Sequence, residues 1–238
     1  SASDLTFAVA PRLNAAGRVA NMSIGVECLI ADSYIEADKL AEKLDDLNKE
    51  RREIEAEMQK SAQAVLESIE FSEKIPLGLC MFNQNWHQGV SGILASRLKD
   101  SYKRPVIVFA RHIQEGEEYA GELKGSARST KHVDVRGILG KINADFPGLI
   151  NKYGGHKAAA GLSINEASYE KFRTLFESYV EDEITEDDCY AELQTDGCLP
   201  KENFTIEFAN LIRESGPWGM NFPEPVFEGS FKIMEQRI

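Results

Sequence analysis

The chain has 238 residues, with 27 Lys and Arg against 39 Asp and Glu and a formal net charge of −12 at pH 7. No stretch approaches the roughly 20 apolar residues of a membrane span, and the N-terminus lacks the basic, apolar and small-residue order of a signal peptide, so the chain reads as soluble, without a membrane partner. The four cysteines, Cys28, Cys80, Cys189 and Cys198, have neither CxxC spacing nor a histidine at zinc-finger distance, which points to reduced thiols in a cytoplasm rather than to a metal site.

The charge is unevenly spread. Residues 32 to 70 carry 12 acids against 6 bases and residues 165 to 196 carry 11 against 2, whereas residues 85 to 164 hold 12 bases against 7 acids. A cationic block between two acidic ones is compatible with binding of a polyanion, and equally with solvated acidic helix faces and scattered bases. The chain does not begin with Met, and we read it as a segment of a longer protein.

Residues 7 to 18 place Arg12, Asn14 and Arg18 around Pro11 and Gly17, an expected exposed turn whose arginines can offer planar forks of donors to phosphate. From Ser33 a capping box with Glu36 opens one long helix, with Leu40, Leu44, Leu47, Ile54, Met58, Val65, Leu66 and Ile69 at helical spacing. Some 36 residues at 1.5 Å each span roughly 54 Å, which suits a connector between domains. Arg51 interrupts any heptad. After Pro76 a βαβ unit is expected: a strand from Leu77 to Phe82, a helix from Val90 to Tyr102, and a strand from Pro105 to Ala110. The turn that opens this helix carries Trp86, His87 and Gln88, a stacking face and two donors at the place where α/β folds put ligands; a Trp packed over the sheet edge fits as well.

Residues 117 to 129 are expected as a short strand ending in a loop, Lys124-Gly125-Ser126-Ala127-Arg128-Ser129, with two hydroxyls and two bases in reach of one anion. Helices follow at about 134 to 145 and 166 to 184. Between them Tyr153-Gly154-Gly155-His156-Lys157 is expected as a turn in which the two glycines allow backbone N–H groups to face a phosphate beside His156 and Lys157, with 158 to 164 a buried strand. A plain hairpin turn with a surface histidine is the other reading. Beyond 189, strands at 189 to 195 and 226 to 234 flank a helix near 204 to 214.

Taken in order, Pro-Arg-Leu-Asn-Ala-Ala-Gly-Arg (11–18), Trp-His-Gln-Gly-Val-Ser-Gly-Ile-Leu-Ala-Ser-Arg-Leu (86–98), Arg-Pro-Val-Ile-Val-Phe (104–109), Lys-Gly-Ser-Ala-Arg-Ser (124–129) and Gly-Gly-His-Lys-Ala-Ala-Ala-Gly (154–161), with the later Gly-Pro-Trp-Gly and Pro-Glu-Pro-Val-Phe, resemble the DHH phosphoesterase family, in particular its single-stranded-DNA-specific 5′-3′ exonucleases. The resemblance implies an α/β fold: a DHH-associated domain with a central mixed sheet at residues 73–184, preceded by the tail of a DHH catalytic domain at 1–22 and a connector with the long helix at 23–72, and followed by the start of an OB-fold-type β domain at 185–238.

The resemblance also implies roles. Arg18 and Asn14 border the catalytic centre, and His156 reaches over it from the opposite domain toward the scissile phosphate. Ser126 and Arg128, with Lys124, Ser129, Gly154 and Gly155 nearby, hold a phosphate near the 5′ end, and Trp86, His87 and Gln88 line the cleft. The family hydrolyses phosphodiesters with Mn²⁺ or Mg²⁺ held by Asp and His ligands. No Asp-His-His stands in this sequence, so the longer parent is expected to be the active exonuclease, serving DNA repair and recombination, and this segment an inactive substrate-binding portion without a metal of its own. Single-stranded DNA with a 5′ end is the implied partner, with repair proteins such as a helicase or single-strand-binding protein. A small-substrate phosphoesterase for oligonucleotides or cyclic dinucleotides, and a non-catalytic module for single strands or proteins, stay open at this point.

Overall fold

The structure is a computed structural model and describes residues 4–72, 75–112, 119–190, 193–219 and 222–236. Residues up to 190 form one compact unit and those after it a second.

In the first unit a π-helical turn, Leu5–Val9, runs into α1 (Ala10–Val19), followed by α2 (Ser23–Ile30) and α3 (Tyr34–Ser72). The turn expected at 7 to 18 is thus a helix. Pro11 sits at the start of this helix, directly after the π-helical turn, whose irregular hydrogen bonding accommodates its missing N–H, and Ala15 and Ala16 are buried. The long helix starts as read, with Ser33 Oγ accepting from the Glu36 N–H at 3.2 Å. Its break in the apolar repeat is filled by a polar knot: Arg51 donates to Glu55 at 2.6 Å and to Asn48 at 2.8 Å, and Arg97 also reaches Glu55.

The remaining elements of this unit are β1 (Leu79–Phe82), α4 (Gln88–Tyr102), β2 (Val106–Arg111), β3 (Glu122–Arg128), α5 (Val135–Asp145), β4 (Lys152–His156), β5 (Ala159–Asn165) and α6 (Tyr169–Glu181). The five strands form one mixed sheet in the order β1-β2-β3-β5-β4, with β1 parallel to β2 and every other pair antiparallel. The βαβ unit and the α/β class expected from sequence are those observed. Period-two alternation sends Ile107, Phe109, Leu123, Ala127, Leu162 and Ile164 to one face, where Ile138, Leu139 and Ile142 of α5 and Phe172 and Phe176 of α6 close a core. On the other face Leu79, Met81, Val106 and Val108 lie under α4 and the second half of α3, against Met58, Ala62, Leu66, Val90 and Leu94.

That cover serves β1 and β2, while the same face of β3, β5 and β4 carries polar and small residues. The register aligns three rows across these strands: Arg128, Ala159 and His156; Ser126, Gly161 and Gly154; Lys124, Ser163 and Lys152. Two expectations are corrected here. Lys124 to Arg128 is a central strand rather than a loop, because Gly125 is packed from the core side: a Cβ there would come within 2.6 Å of the Phe109 ring and 2.7 Å of Leu162. Residues 117 and 118 lie outside the described residues. Gly154 and Gly155 are likewise paired within β4 and do not form a turn, which falls instead at Lys157 and Ala158.

The second unit contains a helix, α7 (Ile206–Glu214), capped by Thr205, whose Oγ accepts from the Phe208 N–H at 3.1 Å. The strands expected at 189 to 195 and 226 to 234 are not formed among the described residues; a parallel bridge pairs Cys198, past the first of these segments, with Glu228 in the second. Residues 191 and 192 lie outside the description. Leu193, Phe231, Ile233 and Met234 are exposed, so these β-prone segments lack the neighbouring strand and apolar cover that ladder formation needs.

Candidate anion-binding cleft

The uncovered part of the sheet is walled on one side by the ends of two helices and forms a cleft of about 650 Å³, lined by Arg18, Gln88, Ser91, Lys124, Ser126 and Lys152 over a floor of Gly154, Gly161 and Ser163. This volume falls in the range of small-ligand sites, roughly 300–1,000 Å³. Two contacts lock the helix ends together. Arg18 Nη1 donates to the Gly89 carbonyl at 3.2 Å, and a Cβ at Gly89 would stand 2.0 Å from the Arg18 carbonyl oxygen. Gly89 therefore lets α1 end directly against the start of α4 and puts Arg18 at the mouth.

Arg128 stands at the edge of the cleft, two residues along β3 from Ser126, with Gly92 of α4 leaving room for its guanidinium: a Cβ there would be 3.1 Å from Nη2 and 3.7 Å from Ser126 Oγ. Among the described residues its guanidinium donates to its neighbour's carbonyl, Nη1 to Ala127 O, at 2.8 Å. Burial, and after it the charge of Arg18, hold the Arg128 pKa below the usual guanidinium value. Among the described residues no carboxylate pairs with Arg18, Lys124, Arg128 or Lys152, and no acid lines the cleft. A half-buried guanidinium with another beside it is costly unless an anion compensates.

Ser126 Oγ lies 2.9 Å from Ser91 Oγ, and Ser91 donates to the Gln88 carbonyl at 2.8 Å. With the Ser91 proton spent there, Ser126 is the donor within the pair. Gln88 reaches the other way as well, its Oε1 2.9 Å from His112 Nδ1.

The residues singled out from sequence separate into two groups. Arg18, Gln88, Lys124, Ser126, Arg128 and Gly154 are brought to this cleft or its edge. Others are placed elsewhere. Trp86 offers no stacking face: it is 6% exposed beneath α3, its Nε1 3.4 Å from Ser61 Oγ. His87 caps α4, its Nδ1 accepting from the Gly89 N–H at 3.1 Å. Ser129 is buried and donates to the Val133 carbonyl at 3.0 Å. Arg12 is bound to Asp45 at 2.7 Å and to the Ala8 carbonyl at 2.6 Å, so its fork is not free for phosphate. Gly155 is required by the backbone, with φ +135° and Ala159 O 2.5 Å from where a Cβ would stand. His156 is exposed at the hairpin end, in one row with Arg128, and Asn14 is exposed one helical turn before Arg18.

Lys152, Ser91, Gly89, Gly161 and Ser163 were not singled out. Lys152 was within reach, since positions 152, 154 and 156 share a face once 152 to 156 is read as a strand. Ser91 became visible only through the packing of α4 against β3. Among the described residues no three His, Cys, Asp or Glu side chains converge, so those present do not fit a catalytic divalent cation.

Residues 74–182 match the DHHA1 domain family. The whole chain is 46% identical over 238 residues to the single-stranded-DNA-specific exonuclease RecJ of Haemophilus influenzae, of which it covers 40%. The likeness to RecJ thus runs the whole length of this chain. Escherichia coli RecJ is 45% identical over 239 residues, again with 40% of its length covered. The crystal structure of RecJ in complex with Mg²⁺ from Thermus thermophilus superposes with a TM-score of 0.78 at 28% identity, covering 95% of this chain and 33% of that one. The chain spans about two-fifths of the length of the curated relatives it matches.

Proposed function

We propose that this chain is the substrate-holding portion of a single-stranded-DNA-specific 5′-3′ exonuclease, with the cleft seating the phosphate at the 5′ end. The observation that carries this reading is the unpaired, half-buried Arg128 beside Arg18 in a cleft with two lysines and no acid. The guanidiniums anchor the phosphate through charge-assisted hydrogen bonds. A bound phosphate draws the Ser126 proton outward, and Ser91 swings from the Gln88 carbonyl to donate to Ser126 in turn. Lys124 and Lys152 neutralise charge along the far wall, and the bare row of Gly161 and Gly154 lets a sugar or base lie against the backbone.

Hydrolysis of the phosphodiester belongs, in this proposal, to the longer parent. RecJ of Thermus thermophilus is known in complex with Mg²⁺ and with Mn²⁺, and such an ion supplies an activated water in metal-assisted hydrolysis. The ligands are to be sought in the parent beyond this segment, which by itself does not cleave. In the parent His156, with Asn14 and Arg18, faces the scissile phosphate, and the enzyme acts in the cytoplasm in DNA repair and recombination.

The test is Arg128→Gln in the full-length parent, with oligonucleotide binding measured in EDTA. Affinity for a 5′-phosphorylated single strand is expected to fall about tenfold to a hundredfold, the cost of one charged hydrogen-bonding partner, while the 5′-hydroxyl strand changes little. Equal loss for both strands, or none for either, rejects the cleft as the seat of the terminal phosphate. Cleavage of dinucleotides in preference to long strands would point to the small-substrate reading instead.

A further inference from the structure

The β4–β5 hairpin projects past the end of the cleft, and its tip is tied to the start of α5. The Ser129 N–H donates to the Ala158 carbonyl at 2.9 Å, and the Val135 N–H to the Lys157 carbonyl at 3.1 Å. These two bonds bring together three segments that carry Lys131, His132, Arg136, His156 and Lys157, all exposed. Among the described residues neither Arg136 nor Lys157 pairs with a carboxylate. The acid in their midst, Asp134, is exposed but engaged as the cap of α5, its Oδ1 accepting from the Gly137 N–H at 2.9 Å. Asp188, beyond the tip, is held by Thr185, whose backbone N–H donates to its Oδ2 at 2.9 Å.

We infer that this hairpin tip and the first turn of α5 form a second phosphate-contacting surface, outside the cleft, that holds a single strand beyond its terminal nucleotide. The inference rests on the proposed seating of a 5′ phosphate in the cleft. Lys157 lies three residues along the chain from Gly154 of the cleft floor, roughly 10 Å at the rise of an extended strand, so the tip begins where a seated nucleotide ends. The cations are fixed by the main-chain bonds of the tip, which lets them track a backbone without reading its sequence. An acidic polypeptide has compatible charge, but continuity with a cleft of the same sign favours the nucleic-acid strand.

The experiment replaces Lys157 and Arg136 together by Glu in the full-length parent, and by Gln in a milder second variant. Binding of 5′-phosphorylated oligonucleotides from two to about twelve nucleotides is measured in EDTA over a salt series, with thermal unfolding as the check on folding. Dinucleotide affinity is expected to stay within about twofold. The loss should grow with length, and the slope of log K against log salt for the longest strand should become shallower by about 0.7 per phosphate contact removed, approaching 1.4 for the Gln pair. Equal loss at every length assigns these residues to the terminal site and overturns the inference; no loss at any length, with an unchanged salt slope, overturns it as well. If Arg128→Gln fails to weaken the phosphorylated dinucleotide while the length series behaves as stated, it is the cleft reading that fails and the outer surface that stands.

Discussion

Gly125, Gly154 and Gly161 lie within two neighbouring rows of the same sheet, yet they answer to different demands. Gly125 is a packing residue, since an added methyl would meet the Phe109 ring and Leu162 below 3 Å. Gly125→Ala should therefore cost about 1–3 kcal/mol through overpacking. Around Gly154 an added Cβ meets nothing within 4 Å, and at Gly161 only the Gly125 carbonyl at 3.9 Å. The fold has no need of glycine at either place. Gly154→Ala and Gly161→Ala in the parent are expected to leave stability unchanged or raise it by up to about 1 kcal/mol, while weakening oligonucleotide binding because methyl groups then stand on the cleft floor. Paired thermal melts and binding isotherms check this; unchanged binding in both alanine variants would show that the floor is not contacted. From sequence these glycines were indistinguishable, because what separates them is which side of the sheet each faces. Arg18 and Arg128 were legible as arginines flanked by small residues, whereas Trp86 is buried by the long helix and Ser129 is held by the Val133 and Ala158 carbonyls, contacts that no local pattern shows.

At the scale of elements, the long helix and the βαβ unit were readable because each follows one periodicity, 3.6 for the helix and a continuous apolar run for β1 and β2. The strand β3 was not, since Lys124, Ser126 and Arg128 alternate with Gly125 and Ala127, residues of low strand propensity whose place is set by Phe109 and Leu162. Where β2 and β3 leave the sheet, Arg111 binds Glu166 through both Nε at 3.2 Å and Nη2 at 2.9 Å, and its guanidinium lies 4.7 Å from the centre of the Tyr119 ring, whose hydroxyl also donates to Glu166. The Arg111 guanidinium, and then the Tyr119 hydroxyl, hold the Glu166 carboxyl below its ordinary 4.5, while burial and this carboxylate push Tyr119 up to about 12. A depressed carboxyl stabilises the fold above its unfolded pKa, and that contribution is lost as pH falls through the folded value. Glu166→Gln should thus be less stable than the wild type from about pH 5 to neutrality, with the difference closing toward more acid pH. Melting temperatures across that range decide it; a difference that widens as pH falls would show that Glu166 is not held as a carboxylate by this cluster. The helix makes a second, simpler prediction. Leu66 is buried between α3 and the sheet, and Leu66→Ala should cost about 2–5 kcal/mol, read from denaturant unfolding.

At the scale of the whole chain, acids outnumber bases on the long helix and after residue 165, while Lys124, Arg128 and Lys152 lie on the open sheet face and Lys131, Arg136 and Lys157 at the hairpin tip. A local cationic surface on a chain of net negative charge favours one orientation of a bound polyanion. It also bounds what this chain can do alone. Four cleft cations and the two at the hairpin tip, Arg136 and Lys157, contacting at most six phosphates of a longer strand give a slope of log K against log salt near −4.2, which amounts to about a 300-fold loss of affinity between about 50 and 200 mM salt. The 238-residue chain is accordingly expected to bind 5′-phosphorylated single strands weakly and with this salt dependence, and to leave them uncut in Mn²⁺ or Mg²⁺, whereas the full-length parent under the same conditions shortens them from the 5′ end. The measurement is a salt titration by fluorescence anisotropy alongside a cleavage assay on the two proteins. Degradation by the segment that persists at constant specific activity through purification would place a complete hydrolytic site within these residues and overturn the division of labour proposed for the parent. Binding that is tight and indifferent to salt would instead remove the phosphate contacts from the centre of recognition, and leave base stacking as the main source of affinity.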